Sequence, residues 1–210
     1  MPGSPRFRSV DAQFVTPQLA IGADLDTENV RRALGQLDEL VRSGITHVVD
    51  VRIEWNDSQF LTEHAPQLRY FHHGVDDAGQ RIPGTWFERL VSWSIPALSQ
   101  TESKLYVHCH MGVNRGPSAA FAILLAQGWD PISALDAIRG ARPTAYVAYA
   151  ENALTWYQRR ERIPKTRARE QRDALAQWRR GNALDLEGVI RAVRRREAAG
   201  LSLPDLFDDN

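Results

Sequence analysis

A chain of 210 residues that is 43% hydrophobic and 25% charged has the composition of an ordinary soluble globular protein, long enough for one domain with an appendage. The single cysteine, Cys109, excludes an internal disulfide framework and fits a reducing, cytoplasmic compartment. Its longest apolar run, Ala119 to Ala126, is too short to cross a bilayer, and Met1 to Val10 lacks the apolar stretch of a signal peptide. The formal net charge is zero, but 13 Arg or Lys stand against 6 acidic residues between Arg159 and Glu197, so the C-terminal part is basic.

In chain order, Val15 to Ile21 reads as a strand interrupted by Pro17, which places it at a sheet edge. Asp26 or Thr27 is positioned to cap a helix reaching about Ser43, with Val30, Leu34, Leu37 and Leu40/Val41 as its apolar face and Gly44 as its stop. The β-branched run Thr46 to Val51 fits a buried parallel strand. Trp55 to His64 reads as a loop with a short helical turn. Leu68 to Val75, which includes His72 and His73, is a further strand, followed by the polar loop Asp76 to Arg81. Trp86, Leu90, Trp93 and Ala97/Leu98 recur at helical spacing between Thr85 and Ser99, where Pro96 is expected to kink the helix. Lys104 to Val107 is a short apolar strand and Ser118 to Gln127 an apolar helix. Asp130-Pro131 starts a helix to about Arg139 that Gly140 can end, and another helix spans about Ala145 to Arg160.

Strands alternating with helices predict an α/β fold, a mostly parallel central sheet flanked by helices, over residues 8–163. Residues 164–210 form an Arg-rich helical C-terminal extension. Its two segments, Thr166 to Arg180 and Leu184 to Ala198, are separated by Gly181-Asn182 and carry Leu175, Trp178, Leu186, Val189, Ile190 and Val193 as apolar positions. This reads as a helical hairpin docked on the domain with its arginines in solvent; the other reading is a basic surface for an anionic partner.

The chemistry sits between the Lys104 strand and the Ser118 helix. In open sheets ligands lie beyond the carboxyl ends of strands, which is where Cys109 falls. A thiol attacks phosphorus only as thiolate, and a helix N-terminus, converging N–H groups and a nearby arginine lower its pKa to roughly 3.5–7.5. The five residues between Cys109 and Arg115 let the chain turn around an oxyanion, with the amides of His110, Met111, Gly112, Val113, Asn114 and Arg115 aimed inward. Gly112 supplies room or a positive φ. Arg115 presents a planar fork that matches two phosphate oxygens. Pro117 at the helix start sacrifices no hydrogen bond. Outside this pattern, a lone cysteine would be an inert buried residue and Asp76-Asp77 ordinary turn residues.

The stretch His108-Cys109-His110-Met111-Gly112-Val113-Asn114-Arg115 reads His-Cys-x-x-Gly-x-x-Arg and resembles the signature of the cysteine-dependent protein tyrosine phosphatases, specifically the compact dual-specificity group. The resemblance covers about Gln13 to Arg160. Val15 to Gly22, Gly44 to Val49 and Ala141-Arg142-Pro143 are similar to further stretches of that family. It implies hydrolysis of phosphomonoesters, in phosphotyrosine and phosphoserine or phosphothreonine proteins, through a cysteinyl-phosphate on Cys109, with Arg115 holding the phosphate and no metal or cofactor. It also implies an aspartic acid about 30 residues before the cysteine that protonates the leaving oxygen and then activates water. Asp76 and Asp77 stand there, and the position of Trp86-Phe87-Glu88 favours Asp77. His108 is expected behind the loop, hydrogen-bonded to hold it, and His110 outside it, where it can meet substrate. The segment Trp55 to His64 is expected to line the pocket.

One position departs from the family. Ser or Thr usually follows the arginine and helps the thiolate leave; here that residue is Gly116, with Ser118 two positions on. The departure predicts binding and attack followed by slow breakdown of the phosphocysteine. Two other classes stay open: a phosphate-binding pseudophosphatase without turnover, and an RNA 5′-triphosphatase, whose loop Asn114 also resembles. A phosphoinositide substrate is disfavoured because the loop has no lysines, and rhodanese-like sulfur transfer would leave the Asp77 loop without purpose. The expected partner is a phosphorylated protein or another phosphomonoester, with nucleic acid second and no membrane.

Overall fold

The computed structural model describes residues 7–26 and 28–199, with side chains to Arg195. Five strands and eight helices follow one another in it: β1 (Ala12–Thr16), β2 (Leu19–Gly22), α1 (Val30–Arg42), β3 (His47–Asp50), α2 (Ser58–His64), β4 (Arg69–His72), α3 (Gly84–Leu98), β5 (Leu105–His108), α4 (Arg115–Ala126), α5 (Pro131–Ala141), α6 (Ala150–Arg160), α7 (Lys165–Gly181) and α8 (Leu186–Ala199). The sheet order is β1-β2-β5-β3-β4. Four strands run parallel and β1 runs antiparallel to β2, so the sheet is mixed within the expected α/β class.

Side chains alternate across the sheet, and each face has its own core. Leu19, Ile21, Val49, Leu105 and Val107 face a core built with α3, α4, α5 and α6. Ala20, Val48 and Tyr106 face the opposite core, built with α1 and α2. The two central strands β3 and β5 are therefore buried at every residue. Their continuous apolar reading in the sequence is the consequence. Helix α4 runs through the middle of the larger core and is buried from Arg115 to Leu125.

Several elements differ from expectation for identifiable reasons. The single strand over Val15 to Ile21 is instead a hairpin. Pro17 has no amide for a ladder, and Thr16 Oγ1 accepts from the amides of Gln18 at 3.3 Å and Leu19 at 3.0 Å, so the chain reverses there. Helix α1 is capped by Asn29, whose Oδ1 accepts from Arg32 N at 3.1 Å, while Asp26 holds the amides of Glu28 and Asn29 in the turn before it. Thr27 lies outside the described residues. The buried face of α1 is Ala33, Gln36, Leu37 and Leu40, and Val30 is 63% exposed. A polar residue turned the helix: the Gln36 amide accepts from Asp26 N at 2.7 Å and donates to Ser9 O at 3.1 Å, so it is satisfied inside. Helix α3 continues through Pro96 to Leu98, and α5 runs one residue past Gly140.

At the end of β3 the chain buries a cation. Arg52 is 0% exposed and is enclosed by carboxylates. Its Nε and NH2 donate to Asp50 at 2.9 and 2.7 Å, NH1 to Asp24 at 3.1 Å, and NH2 lies 2.7 Å from Asp57. Tyr70 OH donates to Asp50 at 2.7 Å. Burial alone would raise the Asp50 pKa, but His108, Arg52 and Tyr70 outweigh it and hold the carboxyl down at about 2. A carboxylate depressed in this way stabilises the fold above the ordinary carboxylate range, and the contribution is lost as pH falls from about 4 toward 2. Arg52→Ala strands these carboxylates and should lower the unfolding free energy by roughly 3–5 kcal/mol in urea titrations; a loss below about 1 kcal/mol would mean that the loop after β3 is held by something else.

Candidate active site

The loop after β5 closes quickly, because α4 begins at Arg115 rather than at Ser118. Arg115, Gly116 and Pro117 thus form the first helical turn, and residues 109–114 make the loop. Gly112 has φ +63°, and a Cβ there would stand 2.6 Å from the carbonyl carbon of Gly22, so glycine is required twice over. The four carbonyls from His110 to Val113 are taken from outside the loop. His110 O accepts from Asp24 N at 3.1 Å and Val113 O from Tyr146 N at 2.7 Å. Met111 O and Gly112 O accept from Arg142 NH2 and Nε at 3.0 and 2.7 Å. Arg142 is 2% exposed and is fixed by Asp11 at 2.8 Å and Gln13 at 2.6 Å. With its carbonyls turned outward, the loop aims its amides inward, which is the geometry of an anion nest. Helix α6 starts only at Ala150 for the same reason: residues 142–149 stay irregular to serve the loop, with buried Val147 held at φ +52°, a strained conformation for a β-branched residue.

Arg115 is 4% exposed and sits among carboxylates. NH1 and NH2 each donate to Glu54 at 2.8 Å in a forked pair, and Nε lies 3.5 Å from Asp77 Oδ2, buried with no hydrogen-bond acceptor among the described residues. Asp77 Oδ1 accepts from Asn114 Nδ2 at 2.6 Å and from Tyr149 OH at 3.1 Å. Asp76 instead turns back on its own chain, its Oδ1 accepting from Asp77 N at 2.7 Å. Of the two aspartates, Asp77 is the one brought to Arg115. Asn114 joins the parts, since its Oδ1 also accepts from Ala148 N at 2.7 Å.

The Cys109 thiol is 3% exposed. The local reading expected a lowered pKa; here burial pushes it up, ahead of the opposing pull of the Gly116 amide, Arg115 and the Gly112 amide, and Asp77 adds to the rise. Burial is the main cause, and the Arg115 charge that opposes it also pairs with Glu54 and Asp77. At Gly116 a Cβ would stand 3.3 Å from Cys109 N where the helix abuts the strand end, a tight contact that a side chain could occupy only with a small shift of the loop. Ser118 Oγ is occupied elsewhere, 3.4 Å from Asn114 Oδ1 and 3.3 Å from Tyr149 N, so it does not stand in for the missing hydroxyl.

His108 is buried and stacked on Tyr106 at 5.2 Å. Its Nδ1 has no hydrogen-bond partner among the described residues and its Nε2 is 3.9 Å from Asp57, so it does not bond the loop as expected. His110 Nδ1 is held 2.9 Å from Asp24, with Trp55 edge-on at 5.3 Å. Trp55, from the stretch expected to line the pocket, and Glu54 before it therefore border the site. Asp50, Asp57 and His108 bring ligand-type atoms within 4.8 Å of one another, but Arg52 NH2 stands 2.7 Å from the same oxygens of both carboxylates and takes the place of a cation.

Glu54 is held down at about 2 by its hydrogen bonds from Arg115, against a smaller opposing effect of burial. Glu54→Gln frees the Arg115 charge to act on the sulfur. The rate of Cys109 alkylation by iodoacetamide, followed against pH, should shift to lower pH in that variant; an unchanged profile would mean that Glu54 does not shield Arg115.

No family model and no curated protein matches the sequence. The structure does find neighbours. Human DUSP28 superposes with a TM-score of 0.59 at 20% identity, over 76% of this chain and 99% of that one. For Tk-PTP in its active form the values are 0.57 and 18%, over 71% and 97%. For PTPMT1 they are 0.56 and 16%, over 70% and 94%. Each neighbour is spanned almost end to end, while about a quarter of this chain or more falls outside the match. The chain has the fold of the cysteine-based protein tyrosine phosphatases in its dual-specificity form.

Proposed function

We propose that the protein hydrolyses phosphomonoesters, with phosphotyrosine and phosphoserine or phosphothreonine proteins as its substrates, through a cysteinyl-phosphate on Cys109. One observation carries this reading: the carbonyls of His110, Met111, Gly112 and Val113 are all bound from outside the loop, which leaves its amides free to face an anion, and the buried Arg115 Nε has no hydrogen-bond acceptor among the described residues. The phosphate dianion displaces Glu54 from the Arg115 fork, two oxygens replacing two oxygens. With Arg115 released to it, Cys109 loses its proton to solvent and the thiolate attacks phosphorus; the P–O bond to the leaving group breaks, and Asp77 gives its proton to that oxygen. Asp77 then takes a proton from water, which attacks phosphorus; the S–P bond breaks and the thiolate is restored. Asn114 and Tyr149 hold the Asp77 carboxyl for both steps. The unpaired thiol fits the cytoplasm. No helix among the described residues is long and apolar enough to cross a membrane.

The release step is the weak one. A Gly116 amide, and no side-chain hydroxyl, supports the departing sulfur. A solved neighbour, PTPMT1, has been captured with PI(5)P, so phosphoinositides join phosphopeptides and triphosphate-ended RNA in the substrate panel.

Cys109→Ser should abolish turnover of p-nitrophenyl phosphate, and a wild type equally inactive would mark a pseudophosphatase. Asp77→Asn should lower kcat/KM, which reports the step that breaks the P–O bond, by about 10²–10⁴-fold on a phosphotyrosine peptide and by less on p-nitrophenyl phosphate, whose leaving group needs less protonation. Equal losses on both would remove Asp77 from leaving-group protonation. Rapid mixing with excess p-nitrophenyl phosphate should give a burst of p-nitrophenol close to one per enzyme before a slow steady state. A linear trace from the first turnover would show that breakdown of the phosphocysteine does not limit the rate.

A further inference from the structure

The C-terminal hairpin reaches the phosphate loop. Val193 of α8 is 2% exposed and forms a small apolar cluster with Val113, itself 5% exposed, joined by Met111, Leu186 and Val189. Leu186, Val189 and Val193 follow the spacing of one helix face, and that face is turned to two residues between Cys109 and Arg115. Helix α7 anchors the hairpin in the main body: Leu175 and Trp178 enter the larger core, Trp178 Nε1 donates to Asp136 at 2.6 Å, and Arg139 donates to Asn182 O at 3.1 Å. A second line runs through Arg179, which donates to Ala148 O at 2.7 Å; the amide of the same Ala148 holds Asn114. The arginines of this segment are thus partly structural.

We propose that the α7–α8 hairpin is a positioning element of the phosphate loop, with Val193 its principal contact. The proposal rests on the reading of this loop as an oxyanion cradle. Donors from Arg142, Asp24 and Tyr146 fix the loop backbone from one side, but a loop with glycine at its turn can still rotate peptides if its side chains are free. Val113 and Met111 are the side chains on which such motion is stopped, and α8 is what they rest against. A peptide that rotates presents a carbonyl to the anion in place of an amide, so the brace preserves the arrangement on which binding depends. The elements that bind phosphate extend past residue 163.

The full-length chain tests this through Val193→Ala, Val113→Ala and the double variant, with Val193→Ile as the conservative replacement and Leu175→Ala as a variant that loosens the hairpin from its other anchorage. Readouts are inorganic vanadate affinity, the pH profile of Cys109 alkylation by iodoacetamide, and Tm. Val193→Ala should weaken vanadate binding by about 3- to 10-fold at temperatures well below its Tm, non-additively with Val113→Ala, and Val193→Ile should restore it. Leu175→Ala should lower Tm and, by loosening the hairpin, weaken vanadate binding in the same direction as Val193→Ala. The proposal is overturned if Val193→Ala changes only Tm, if its effect adds to that of Val113→Ala, or if Leu175→Ala leaves affinity unchanged. Should the wild type fail to bind vanadate, the phosphatase reading fails instead, and the alkylation profiles of the same variants still decide whether α8 braces the loop.

Discussion

A loop that aims successive amides at one point must send its carbonyls the opposite way, and buried carbonyls need donors. The Arg142 guanidinium meets most of that demand, with two loop carbonyls on one side and Asp11 and Gln13 on the other. Much of the architecture exists to place it. Asp11 and Gln13 belong to the edge of the sheet, which is why the hairpin made by β1 and β2 matters to a site built on β5. Gly22, at the end of β2, lies so close to Gly112 that a Cβ on Gly112 would meet the Gly22 carbonyl, while a Cβ on Gly22 itself would meet the Asp11 carbonyl. The irregular stretch before α6 supplies Arg142, the Tyr146 amide and Tyr149, and holds Val147 in a strained conformation to do so.

Charge is arranged with the same economy. Of the three arginines buried near the site, Arg52 and Arg115 are each surrounded by carboxylates. The cage of Arg52 is closed and serves structure, since all its partners are within the protein. Arg115 differs because its partners come from Glu54 and Asp77, whose side chains are 39% and 37% exposed. A partner near solvent can be exchanged for a ligand; a partner sealed inside cannot. Glu54 thus marks the place and the bidentate geometry a phosphate would take.

What was legible in the sequence follows the range of the forces involved. Strand and helix alternation, and the Cys109–Arg115 spacing, are local patterns and could be read directly. Asp77 was reached through family resemblance, and the geometry separates it from Asp76 by its contacts with Asn114 and Tyr149. Glu54, Arg142 and Val193 come from parts of the chain far from residue 109: Arg142 is marked in the sequence only as part of a family-like stretch and Val193 only as an apolar position, and neither pattern ties them to the loop. The face of α1 was misjudged because a glutamine can be buried once both ends of its amide are bonded. The direction of the Cys109 shift was misjudged because a local reading sees the donors around the sulfur but neither its burial nor the carboxylates that share Arg115.

The buried, protonated thiol has a bearing on survival in an oxidising burst. Peroxide reacts with thiolates, and the path from sulfenic to sulfinic acid is one-way unless another thiol intercepts it. With a single cysteine, this chain has no resolving partner of its own. On the proposed mechanism, holding Cys109 as a thiol until an anion takes over the Arg115 fork would keep its sulfur in the least oxidisable form between turnovers. A resting state that is slow to react is, for such a residue, a form of protection.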